Sequence, residues 1–201
     1  MPTDERAAFT SAAAWFRTTV DDVGGRWHEP GLGEWSVRDL VGHTSRSLIT
    51  VETYLDATPG EVTVRSAVEY YRAVVAAGTS AAVTERGRQA GRGLGADPVG
   101  FLLALDTRVQ GKVAAAADDA YVETAAGGMR LIDYLPTRTF ELVVHTADLA
   151  AALDVVTAPP PAAATSALQL AAGLAAERGA AVDVLLALTG RRPLPPGFSL
   201  L

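Results

Sequence analysis

The sequence predicts an all-α fold: an antiparallel bundle of four principal helices with extra helices toward the C-terminus. Two observations carry that prediction. Alanine-rich stretches with apolar residues three and four positions apart recur along the 201 residues, and alternating stretches long enough for strands are nearly absent. A third bounds the organisation. No repeat of fixed period appears, so residues 1–201 are expected to form one domain with a short proline-rich tail.

The first helix is expected from Asp4 to Asp21, where Ala8, Phe9, Ala12, Trp15, Phe16 and Val20 make one apolar stripe before Gly24-Gly25. Arg26 to Trp35 reads as a loop. Ser36-Val37-Arg38-Asp39 then has the spacing of a capping box and opens a second helix running to Asp56, with Trp35 as a hydrophobic staple and Asp39 as the capping acid. Helical pattern resumes near Thr63 and frays at Gly87 to Gly95, read as a mobile surface loop. Asp97-Pro98 pairs an N-cap with a first-turn proline and starts a helix toward Asp118.

Tyr121 to Leu131 reads as a short hairpin centred on Gly127-Gly128. From Asp133 a helix runs to Leu153, with Pro136 placed in its first turn. Pro159-Pro160-Pro161 separates it from an alanine-rich helix ending near Gly179, and a last apolar piece spans Ala180 to Leu188.

Composition removes several function classes. Seventeen basic against 23 acidic residues give a net charge of -6, the wrong sign for a protein that grips phosphate backbones, so no nucleic acid is expected as partner. No apolar run reaches the length of a membrane span and the N-terminus lacks a signal-peptide layout, which predicts no membrane partner and a cytoplasmic location. Zero cysteines exclude disulfides, thiolate metal sites and a cysteine nucleophile. Lys112 is the only lysine and alanine is abundant, the codon bias of a GC-rich genome. The apolar first helix and the acidic charge permit a homodimer.

Two of the three histidines, His43 and His145, fall inside predicted helices, where bundles build their metal sites. Glu141 lies four residues before His145, so carboxylate and imidazole share a helical face. His43 stands among Leu40, Ser47 and Leu48 and is expected to point into the same interior. Two imidazoles and one carboxylate with open positions match a catalytic zinc site, and equally an open iron or nickel site. Arg138, Arg46 and Asp148 lie three residues from these ligands. The arginines are candidates to clamp a carboxylate and Asp148 to orient an imidazole; surface ion pairing is the alternative for either arginine. His28 reads as surface, and Tyr54, Tyr70 and Tyr71 as packing rings.

The stretch WHEPGLGEWSVRDLVGH from Trp27 to His43, RTFELVVHTADLAAAL from Arg138, and LLALTGR ending at Arg191 resemble the mycothiol-dependent maleylpyruvate isomerase family, within the DinB-like metal-binding bundles. The similarity spans nearly the whole chain. It implies that His43, Glu141 and His145 ligate a divalent metal, usually taken as zinc, and that mycothiol is the cosubstrate. The isomerase that names the family carries an additional C-terminal domain contributing to substrate binding, so maleylpyruvate itself is not the expected substrate. The expected function is addition of a metal-ionised thiol to a small electrophile, as S-transferase or cis–trans isomerase. A non-catalytic metal-binding or partner-binding bundle and a thiol-independent metal hydrolase are the alternatives.

Overall fold

The computed structural model describes residues 3–77 and 80–201. It is mostly helical. In chain order the elements are α1 (Glu5–Asp21), α2 (Val37–Tyr54), α3 (Ala67–Ala77), α4 (Ser80–Gly93), α5 (Pro98–Ala115), the strands β1 (Tyr121–Thr124) and β2 (Gly127–Arg130), α6 (Leu131–Ala152), α7 (Pro161–Glu177) and α8 (Ala181–Leu188). Four helices form the central bundle, α1 and α2 each packing against both α5 and α6. Around it α4 lies on α2, α7 on α1 and α6, α3 on α6 and α7, and α8 on α7.

Local chemistry fixes the starts of the principal helices. Asp4 caps α1 by accepting from the amides of Arg6 and Ala7. The box at α2 closes in both directions: Asp39 N–H donates to Ser36 Oγ (3.2 Å) and Ser36 N–H to Asp39 Oδ2 (3.1 Å). Asp97 caps α5, with Pro98 in its first turn. The stripe of α1 is consumed inside the bundle, with Phe9 and Phe16 sealed from solvent. Large exposed apolar side chains lie on other helices, among them Leu103 on α5, Leu168 on α7 and Val182, Leu185 and Leu188 on α8.

The segment read as a mobile glycine-rich loop is for the most part helix, α4, packed closely on α2. Two of its glycines, Gly87 and Gly91, serve contact rather than flexibility. A Cβ on Gly42 of α2 would fall on the Gly91 backbone, so the two helices approach to a distance that side chains would forbid, and a Cβ on Gly87 would fall on the indole of Trp35, just before α2. Arg38 ties the same joint by donating from Nε to the Gly91 carbonyl at 2.9 Å.

The hairpin forms, with a different centre. Thr124 pairs with Gly127 across the turn residues Ala125 and Ala126, and both glycines belong to β2. There a Cβ on Gly128 would collide with the Glu61 carbonyl, and the Gly128 carbonyl accepts from the amides of Thr63 (2.9 Å) and Val64 (3.1 Å). Helix α6 starts at Leu131 rather than Asp133, so Pro136 falls in its second turn and removes the helical donor to the Ile132 carbonyl.

Candidate metal centre

His43 comes from α2, and Glu141 and His145 lie one turn apart on α6, the helix packed against α2. The structure brings them together: one ligand atom from each lies within 4.8 Å of the others. The imidazoles meet edge to face with centroids 4.8 Å apart. His145 presents Nε2 to Glu141 Oε2 at 3.3 Å, while its Nδ1 faces Asp148 Oδ2 at 3.0 Å. Asp148 thus fixes which imidazole nitrogen points inward.

The donor set fits a divalent cation of the zinc, nickel or iron type. His43 Nδ1 is sealed from solvent and has no hydrogen-bond partner. Burial, reinforced by the nearby His145, lowers the His43 pKa to about 4, so the ring is neutral and its lone pair is free. For Glu141, burial pushes the pKa up, but the hydrogen bond with His145, the charges of Arg138 and His145 and the Tyr71 hydroxyl bring it down to about 2. Burial likewise depresses His145, and the bonds to Asp148 and Glu141 outweigh it and raise the pKa to about 9. Before any cation enters, His145 is an imidazolium held between two carboxylates.

Arg138 lies beside this group, almost wholly buried, with its guanidinium 5.0 Å from the Tyr134 ring centre and 5.3 Å from that of Tyr70. Nε donates to Thr137 Oγ1 (2.9 Å) and Nη2 to the Tyr70 hydroxyl (3.3 Å). Arg46, half-buried on α2, acts electrostatically on both His43 and Tyr70. Among the described residues neither arginine forms an ion pair within 4.0 Å of a carboxylate, so the surface-pairing alternative is not what the structure contains.

Three residues at the site were not singled out by sequence reasoning. Tyr71, read as packing, donates its hydroxyl to Glu141 Oε1 at 2.5 Å, and burial lifts its pKa well above the phenol range, so the proton stays on the oxygen. Trp35, read as a staple, lays its ring on His43 with centroids 4.5 Å apart and donates from Nε1 to the Thr84 carbonyl of α4. Arg86, on α4, adds a positive charge near His43. No local motif marks Tyr71 or Arg86, because α3 and α4 reach the site only through tertiary packing, and the staple position of Trp35 does not foretell its contact with His43. His28 is exposed and outside the group, and Tyr54 packs on Tyr134, as expected.

Among the described residues no helix is long and apolar enough to cross a membrane. No curated protein and no solved structure matches the chain. The family model for the mycothiol maleylpyruvate isomerase N-terminal domain matches residues 6–150, a span that takes in α2 to α5, all but the first residue of α1 and the last two of α6, and every residue of the site described above. The three donors on facing helices of a bundle and this match over most of the chain agree, and the chain belongs to the mycothiol maleylpyruvate isomerase N-terminal domain family.

Proposed function

We propose that this chain is a divalent-metal enzyme that activates a low-molecular-weight thiol, mycothiol, for addition to a small electrophile, acting as an S-transferase or a cis–trans isomerase. His43, Glu141 and His145 hold the cation, and zinc is the expected metal. The observation that carries the reading is the group of three donors within 4.8 Å, with no fourth histidine or carboxylate joined to it among the described residues, the arrangement that leaves positions open for reactants. A cation bound there ionises a thiol that is otherwise a poor nucleophile at neutral pH.

The chain has no cysteine, so the sulfur comes from a cosubstrate. Asp148 keeps the His145 Nδ1 proton in place and turns Nε2 inward. Trp35 covers one face of His43 and limits its rotation. Arg138 and Arg46 bind an anionic group of the electrophile or thiol, since neither closes an ion pair with a carboxylate among the described residues. Thiolate addition to an alkene followed by proton uptake leaves a conjugate; addition, rotation about the resulting single bond and loss of the same thiolate leaves the isomer.

A thiol-conjugation and isomerisation assay over a panel of small electrophiles tests this with metal-loaded protein. The expected result is turnover that needs both mycothiol and metal and is lost in His145→Ala. Activity indifferent to that substitution and to chelation overturns the proposal. Turnover without thiol identifies a hydrolase, and retained metal with no turnover identifies a binding module.

A further inference from the structure

The two oxygens of Glu141 are used differently. Oε2 faces His145 Nε2 at 3.3 Å, on the side where the three donors converge. Oε1 accepts the Tyr71 hydroxyl at 2.5 Å. Tyr71 is not free to turn away. It sits on α3 at 4% exposure, edge-on to Phe140 of α6 (5.6 Å between centroids) and to Tyr70 (5.5 Å), and its hydroxyl is also 3.3 Å from the Thr137 carbonyl one turn before Glu141. The phenol is thus held by two helices against one carboxylate oxygen.

A carboxylate that ligates through both oxygens takes two coordination positions, and through one oxygen only one. We infer that Tyr71 is a positioning residue that restricts Glu141 to ligation through Oε2, keeping one further coordination position for an exogenous ligand. This rests on the metal reading above and adds a cause for the vacancy: the site is open because a neighbouring helix withholds a ligand atom. The extra position is what a reaction with two partners needs, since a thiol and a polar group of the electrophile then meet on one ion.

The test uses the full chain loaded with Co(II), whose visible d–d bands weaken as coordination number rises. Tyr71→Phe is expected to bind Co(II) about 10- to 100-fold more weakly, the usual effect of losing a hydrogen bond to a ligand, and to show weaker visible bands as Oε1 joins the ion. Tyr54→Phe, whose ring packs on Tyr134 away from the three donors, is expected to match the wild type in both readouts. The wild type supplies an arm that needs no variant: X-ray absorption of the zinc-loaded chain is expected to find one short carboxylate oxygen. Two short carboxylate oxygens there, or Tyr71→Phe with unchanged bands, overturn this inference alone. A wild-type chain that binds no Co(II) overturns the metal reading and this inference together.

Discussion

His145 is the residue on which the pH behaviour of the site turns. In the metal-free chain its pKa stands at about 9, above the ordinary histidine value of 6.5, because Asp148 and Glu141 both bond to it. Its contribution to stability is therefore full below 6.5 and is lost as pH rises through about 9. Glu141 has the opposite sign: with its pKa brought down to about 2, its contribution is full above the ordinary 4.5 and is lost as pH falls toward 2. A cation entering at pH 7 finds His43 neutral and Glu141 ionised, so the proton it displaces is the one on His145. Affinity is expected to rise roughly tenfold per pH unit up to about pH 9 and then level off, with about one proton released per ion at pH 7. Titration calorimetry in buffers of different ionisation enthalpy counts that proton; binding with a count of zero overturns the displacement of a proton from His145. Asp148→Asn keeps the shape but offers a weaker acceptor to Nδ1, and is expected to weaken zinc binding by about 10- to 100-fold in a competition assay.

At the scale of elements, the joint between α2 and α4 decides where the site's outer wall stands. Gly42→Ala drives a methyl into the Gly91 backbone, which cannot yield as a flexible side chain would, and is expected to destabilise the protein by about 1–3 kcal/mol in denaturant unfolding. Gly111→Ala, in an exposed stretch of α5 with no atom within 4 Å of the added carbon, is expected to stabilise it by about 0.5–1 kcal/mol. The contrast separates two uses of glycine that look identical in a sequence. That is why α4 read as a loop: helix propensity registers the conformational freedom of Gly87, Gly91 and Gly93, while the neighbour that requires two of them lies on another segment. Elements defined by near neighbours were legible, including the Ser36–Asp39 box and the caps at Asp4 and Asp97. So was the meeting of His43, Glu141 and His145, since helical spacing and an apolar register are local properties. Tyr71 and Trp35 were not, because a phenol in an apolar stripe reads as packing until the acceptor opposite it is known.

At the scale of the molecule, a cation held by His43, Glu141 and His145 would cross-link α2 to α6, two helices far apart in the chain, at a point also braced by α3 through Tyr71 and by α4 through Trp35. An unfolded chain cannot present those donors together, so binding adds to folding stability by mass action. At a free metal concentration 100 times the Kd the gain is about 2.7 kcal/mol, which for a chain of this size corresponds to a rise in Tm of roughly 5–10 °C that a chelator reverses. Glu141→Ala is expected to lose that rise. Its absolute Tm is a poor measure, because the substitution also removes a carboxylate near the buried Arg138 guanidinium and leaves the Tyr71 hydroxyl without its acceptor, so the metal-free variant is destabilised as well. The quantity to compare is the metal-induced increment in each protein. An undiminished increment in Glu141→Ala places the cation elsewhere, and no increment in the wild type removes the cross-link altogether.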